Sequence, residues 1–312
     1  MDLGVQIEPQ FGFRYAEIVA IAQEAERAGF HTIWLSDHLF LNERSERTDC
    51  LEAWTVLAAL ARDTRTIRIG PMVTAQSYRN PALLAKMAAG VDQMSGGRLE
   101  FGIGAGWKEL EYRAYGYEFP PPGTRVDQLV DALEICTRLW TEERSTYHGK
   151  HYRIDAAVSS PKPAQSPLPV WIGGSKPRIM RVAARFAHWF NMTILPVTLE
   201  ERVRQMDEGL AAACRSVGRD PKTLRRSAFV QAFVASDRPA VDALVGETAK
   251  KAGVTPAEWR AARPGAIVGT PDEAAERFRA LAKAGVEHAN VMFPYGRETE
   301  MVRALAEVAR AL

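Results

Sequence analysis

Eight short apolar runs, each followed by a stretch of helical character, constrain this 312-residue chain more than any other feature. They are LGVQI (Leu3 to Ile7), TIWLS from Thr32, IRIGPMVTA (Ile67 to Ala75), RLEFGIGAG from Arg98, VWIGG (Val170 to Gly174), HWFNM from His188, SAFVQAFVA (Ser227 to Ala235) and HANVMFP from His288. The runs are nearly continuous in apolar residues rather than alternating, as strands buried on both faces of a parallel sheet are. Parallel neighbours need crossover connections, and the intervening segments supply them. Tyr15 to Ala28 has Ile18, Ile21, Ala22 and Ala25 on one helical face and Gly29 as a stop. Asn80 precedes Pro81 as a helix N-cap, and Thr270, Pro271 and Glu273 form a capping-box start. Lys108 to Leu139 reads as helix broken by FPPPG, STYHGKHYRI as a small hairpin, Val254 to Gly265 as irregular, and Glu298 to Leu312 as a closing helix. Eight strands in a chain of this length predict an α/β fold, a (β/α)8 TIM barrel with insertion segments, as one domain over residues 1–312. The alternative is an open doubly wound sheet with a small second domain after SPKPAQSPLP.

Several function classes fall away. A formal net charge of +2 gives no electrostatic footprint for nucleic acid or a membrane surface. No apolar run approaches the ~18 residues of a membrane span. The opening MDLGVQI reads as a strand rather than a secretory leader, and Cys50, Cys136 and Cys214 lie far apart without CxxC spacing. Reduced thiols in a cytoplasmic protein are the expectation. No G-x-S-x-G occurs, and no pair of histidines lies on a strand at H-x-H spacing, so neither a serine-hydrolase elbow nor a metal site is expected.

Barrel active sites form at the C-terminal ends of strands, and here those ends are unusual. The second strand stops on Ser36-Asp37-His38, the third on Thr74, the fourth on Gly104-Ala105-Gly106-Trp107, the fifth on Gly173-Gly174-Ser175, and the sixth near Asn191. An imidazole is the side chain best suited to proton transfer near neutral pH, which makes His38 a candidate acid/base. The alternative is that Asp37 caps a loop and His38 is a polar surface residue. In WIGGSKPRIM a strand, two glycines and a helix start follow one another, an arrangement whose backbone N–H groups cradle an anion, with Lys176 and Arg178 adding charge. Pro71 sits inside the third strand, where the ladder has no use for a residue without an N–H, so a bulge is predicted there.

Together SDH, YRNPALLAKMAAGVDQMSGGRLEFGIGAGWKELEYRAYG, LVDALEICTRLWTEE, PVWIGGS and IVGTPDEAAERFRALAKAGVEH resemble the luciferase-like monooxygenase superfamily, and within it the coenzyme F420-dependent oxidoreductases. The resemblance covers nearly the whole chain and implies a bacterial-luciferase-like barrel. It implies that Asp37 contacts the deazaflavin ring and that His38 is the acid/base. It places a non-prolyl cis peptide at Met72–Val73 behind the ring and a further cofactor contact at Thr74. Gly106 and Trp107 would line the ring pocket, and Gly173, Gly174 and Ser175 would hold the cofactor phosphate. The sugar-phosphate branch carries a catalytic glutamate where Trp107 stands here, with Glu109 two residues on, and the usual ADGWN is replaced by AHWFN (Ala187 to Asn191). The implied function is F420-dependent hydride transfer to or from a small organic substrate, by a homodimer. The alternatives are an FMN-dependent monooxygenase of the same superfamily and a barrel that binds cofactor without catalysis.

Overall fold

The structure, a computed structural model, describes residues 1–43, 45, 47–192 and 197–312. The first half of the chain runs β1 (Asp2–Ile7), α1 (Tyr15–Ala28), β2 (Thr32–Leu35), α2 (Ala53–Asp63), β3 (Arg68–Pro71), β4 (Thr74–Ala75), α3 (Pro81–Ser95), β5 (Phe101–Gly104), α4 (Glu109–Ala114) and α5 (Pro122–Thr141). A hairpin of β6 (Ser145–His148) and β7 (Arg153–Ala157) follows, then β8 (Val170–Gly174), α6 (Pro177–Phe186), β9 (Trp189–Met192) and α7 (Leu199–Ser216). The last third holds β10 (Arg225–Val234), α8 (Arg238–Lys251), α9 (Pro256–Ala261), β11 (Ile267–Gly269), α10 (Pro271–Lys283), β12 (His288–Met292), α11 (Glu298–Ala304) and α12 (Ala306–Ala311).

The main sheet is parallel and runs β3-β2-β1-β12-β10-β9-β8-β5-β4, with β11 added beside β10. β3 and β4 are two halves of one strand, parted at Met72–Val73, whose peptide bond is cis. The path therefore starts and ends on the same strand, and an isolated bridge from Ile69 to Leu99 ties its lower half to the β5 side. The result is the (β/α)8 barrel expected from the eight apolar runs. The break falls where Pro71 predicted an irregularity.

Two expectations need correction. Val254 to Gly265 contains α9, started by a capping box of Thr255 and Glu258. The segment is too short for a helical period to show, so only the cap could have revealed it. The closing helix is two helices, α11 and α12, meeting at Leu305.

Strand alternation sorts the side chains. Val5, Ile33, Ile69, Phe101, Ile172, Phe190 and Val291 point outward and join the core beneath the helices. Trp34, Trp171 and Trp189 belong to a separate cluster in the barrel interior. Trp171 stacks on Trp189 with ring centres 4.3 Å apart, and Trp34 meets Trp171 at 4.7 Å. Rings this large fit only because glycine faces them: a methyl group on Gly70 would lie 2.8 Å from Trp34 and 2.2 Å from the Glu100 carbonyl oxygen. The GIGAG run has a similar origin. A methyl group on Gly102 would lie 2.0 Å from the Pro71 carbonyl oxygen, and one on Gly104 2.8 Å from Val73. These glycines admit the broken strand against β5, which sets the Met72–Val73 backbone at the barrel mouth.

Candidate active site

A cavity of about 650 Å3 opens at the C-terminal ends of the strands. Asp37, His38, Met72, Val73, Gly106, Trp107, Gly173, Gly174 and Ser175 all line it, so the fold gathers these expected site residues from four separate stretches of sequence. Thr74 is fully buried and is not among its lining residues.

His38 Nδ1 lies 2.9 and 3.1 Å from the two carboxylate oxygens of Glu111. A carboxylate accepts, so Nδ1 carries a proton, and in the neutral form of the ring Nε2 holds the lone pair. Glu111 is completely buried in the first turn of α4. It accepts from the Leu39 N–H at 2.9 Å, the Phe40 N–H at 3.3 Å, the Tyr78 hydroxyl at 2.7 Å and Lys108 Nζ at 3.2 Å. Burial alone would raise its pKa. The bonds from His38, Tyr78 and the Leu39 N–H outweigh that and hold it at about 2. Lys108 is fixed in turn by the carbonyls of Phe40 and Leu41 at 2.5 and 2.7 Å. The turn after β2 is thus wrapped around one permanently ionised carboxylate. Trp107 meets His38 edge-on with ring centres 5.6 Å apart and is 71% exposed at the rim. The backbone that presents it turns at Gly106, where φ is +80° and a methyl group would collide with the Tyr112 hydroxyl at 1.8 Å.

Asp37 has a different role from its neighbour. Its oxygens receive a two-pronged contact from Arg79, at 2.6 and 3.0 Å, and a hydrogen bond from the Thr74 hydroxyl. Arg79 also pairs with Glu52, and Trp54 Nε1 donates to Thr74 Oγ1 at 3.2 Å. The side chains of Asp37 and Thr74 therefore bind β2 to β4, and their surfaces are closed by protein.

Two residues enter the site that strand-end reasoning passed over. Glu8 follows β1 directly and lines the cavity. Its pKa is raised by burial, against the opposing charges of His38 and Lys108, and its carboxyl group has no hydrogen-bond partner among the described residues. The signal was available, because Glu8 is a polar strand end like the others. Glu111 gave no such signal, since only the turn at Gly106 brings the start of α4 back over β2.

Opposite His38, Gly173, Gly174 and Ser175 lead into α6, whose first helical residue is Pro177. Backbone N–H groups at a helix start and the nearby Lys176 suit an anion. Arg178 is held by the Gly123 carbonyl at 3.0 Å and by Asp127. An apolar backbone step at Met72–Val73, a glycine-lined wall and an anion cradle at one edge together fit a flat cofactor with a phosphate tail. Among the described residues no group of three or more His, Cys, Asp or Glu side chains is placed to hold a metal, and no helix is long and apolar enough to cross a membrane.

A family model described as luciferase-like monooxygenase matches residues 1–288. The chain is 31% identical over 232 residues to the F420-dependent hydroxymycolic acid dehydrogenase of Mycobacterium tuberculosis, a match covering 74% of this chain and 62% of that protein. It is 28% identical to the 5,10-methylenetetrahydromethanopterin reductase of Archaeoglobus fulgidus, covering 95% of this chain and 94% of that one. Among solved structures, an F420-dependent secondary alcohol dehydrogenase in complex with an F420–acetone adduct superposes with a TM-score of 0.81. That match covers 98% of this chain and 97% of the other at 20% identity, and it speaks for the fold.

Proposed function

Since this chain belongs to the luciferase-like monooxygenase family, we propose that it is an F420-dependent oxidoreductase in which His38 moves the proton that accompanies hydride transfer. The observation that carries this reading is the His38–Glu111 pair at the cavity mouth, with the Met72–Val73 step and the Gly173–Ser175 cradle around the same space. When bound, the deazaflavin supplies the hydride acceptor or donor at its C5, and the protein supplies orientation and proton handling. Met72 and Val73 would back the ring, Gly106 and Trp107 would border it, and Gly173, Gly174 and Ser175 would receive the phosphate. Asp37 and Thr74 fix the edge against which the ring rests.

As a hydride leaves the substrate carbon, the proton on the neighbouring heteroatom passes to His38 Nε2. The imidazolium that forms shares its Nδ1 proton with Glu111, whose charge stabilises it. In the reducing direction the same imidazolium returns the proton. Glu8 faces the cavity near His38 as a second carboxyl. Beyond Glu8 the cavity adjoins a bay of about 300 Å3 lined by Phe11, Phe13, Phe233, Phe293 and Tyr295, which is where an apolar substrate body would lie. A homodimer is part of the proposal. Leu83 and Met94, large apolar side chains exposed on α3, are its suggested contact, and light scattering checks it.

The test is a titration with oxidised F420 and with FMN, followed by a turnover screen of uncharged apolar substrates against phosphorylated ones. F420 is expected to bind more tightly than FMN. His38→Ala is expected to lower kcat about 10²–10⁴-fold while the F420 Kd changes little. Preferential FMN binding with oxygen-dependent turnover would replace this reading by the monooxygenase one. Unchanged turnover in His38→Ala would remove the acid/base role.

A further inference from the structure

Three residues on neighbouring strands form a buried hydrogen-bonded line that ends at the floor of the cavity. His288 on β12 has Nδ1 3.2 Å from the Ser227 hydroxyl on β10, and that hydroxyl is 3.0 Å from Asn191 Oδ1 on β9. Asn191 is 3% exposed, Ser227 and His288 are wholly buried, and only Asn191 lines the cavity. The direction of these bonds decides which end of the Asn191 amide faces a ligand.

Trp34 fixes that direction from the far end. A methyl group built on Gly4 would lie 2.7 Å from Trp34 Nε1 and 2.9 Å from His288 Nε2, so the two nitrogens border the same small space. Both are buried without a partner among the described residues. Indole Nε1 is a donor only. A second N–H at His288 Nε2 would oppose it, whereas a lone pair there is compatible. Burial, followed by the charges of His31 and Arg225, keeps the ring neutral, so one nitrogen alone carries a proton. That proton is on Nδ1 and points to Ser227. The Ser227 hydroxyl accepts it and sends its own hydrogen to Asn191 Oδ1. Asn191 Nδ2 is then the end left over. It has no partner among the described residues, and it is not one of the atoms sealed from the cavity.

We infer that Asn191 presents a fixed amide N–H donor to an acceptor atom of the bound cofactor, with Ser227 and His288 as positioning residues. The inference rests on the F420 reading above. The partner is the cofactor rather than the substrate because Asn191 lies with the ring's backing. A methyl group on Gly173 would be 3.6 and 3.9 Å from Asn191 atoms and 4.0 Å from Val73 Cγ1. A carbonyl or hydroxyl oxygen of the cofactor that left water for this floor would lose a hydrogen bond without that donor.

The experiment is a fluorescence titration of oxidised F420 against wild type, Asn191→Leu, Asn191→Asp, Ser227→Ala and the Asn191→Leu/Ser227→Ala double variant, each checked by thermal unfolding. Asn191→Leu is expected to raise Kd about ten-fold. Asn191→Asp should weaken binding at least as much, because a carboxylate accepts where a donor is needed. Ser227→Ala should raise Kd a few-fold in wild type and not at all in the Asn191→Leu background, since its effect passes through the amide. A purely structural role for Ser227 would give the same loss in both backgrounds, and that outcome overturns the line. Asn191→Leu or Asn191→Asp binding within two-fold of wild type also overturns it. Should Asn191→Leu fail to fold, Asn191→Asp and Ser227→Ala decide alone: a Kd within two-fold of wild type for either overturns the inference. Wild-type protein that takes up no F420 sinks the cofactor reading itself, which is a separate result.

Discussion

Glu100, near the N-terminal end of the barrel, and Glu111, at its mouth, are both buried and both have cationic neighbours, yet their acidities move in opposite directions. Glu100 pairs with Arg68 and receives the Trp171 indole N–H, but burial dominates and its pKa is raised. The Glu111 side chain is just as shut off from solvent, but it lies nearer the surface of the barrel mouth, and its ring of donors brings its pKa down to about 2. Depth and donors pull against each other: the deeper carboxyl keeps its proton, and the shallower one, with more donors aimed at it, loses it. The lower pair braces a packed layer of tryptophans. The upper one keeps a permanent negative charge behind an imidazole.

The largest contrast should come from neutralising each in turn. Glu111→Gln removes the charge behind His38 and leaves Lys108 and several N–H and O–H donors around a weaker acceptor. We expect kcat/KM to fall about 10²-fold or more, with the F420 Kd changed only a few-fold. Glu100→Gln, far from the cavity, should leave kcat/KM within two-fold. Steady-state kinetics with fluorescence binding checks both. Equal losses in the two variants would break the comparison.

The next effect is on stability against pH. A carboxylate whose folded pKa lies below its unfolded value near 4.5 stabilises the fold fully above that value. Its contribution drains away as pH falls toward about 2. Glu100 has the opposite sign: the folded state holds its proton after the unfolded chain has released it, so stability declines as pH climbs from the unfolded value through the folded one. Urea unfolding from pH 2 to 7 should therefore show Glu111→Gln with a flattened acid limb. Glu100→Gln should gain on wild type as pH increases. Parallel curves for the two variants would mean that the donor count around Glu111 does not set its charge.

Sequence carried the barrel well, because strand burial on both faces and helix caps are local signals. All eight runs became strands of the barrel, and Pro71 marked the break in the third. The partition of the site residues was less legible. Asp37 and His38 are adjacent in sequence and both line the cavity, but the Asp37 carboxylate is taken up by Arg79 and Thr74 and shut from solvent, while the His38 ring stays partly open to it. That distinction depends on Arg79, 42 residues away, which no local pattern reveals. GIGAG ends on Gly106, which the resemblance sets beside the cofactor ring. Its first two glycines instead make room for the broken strand, and the third makes room for Tyr112. Such demands come from contacts across the sheet and are invisible along the chain.

The smallest effect separates two carboxylates on a single helical turn. Glu109 opens α4, two residues before Glu111. It is half exposed and pairs with Arg113 at 2.7 Å, one helical turn away. An ion pair in water of this kind is worth less than about 0.5 kcal/mol, because solvent screens it and both side chains lose freedom in forming it. Glu111, two residues on, faces inward to His38 because α4 rotates that position by roughly 200° relative to Glu109. Glu109→Ala should accordingly leave kcat, the pH profile and the unfolding midpoint unchanged within error. A drop in kcat comparable to that of Glu111→Gln would mean that α4 turns its other face to the substrate during catalysis, and the His38–Glu111 pair would then lose its place as the centre of proton transfer.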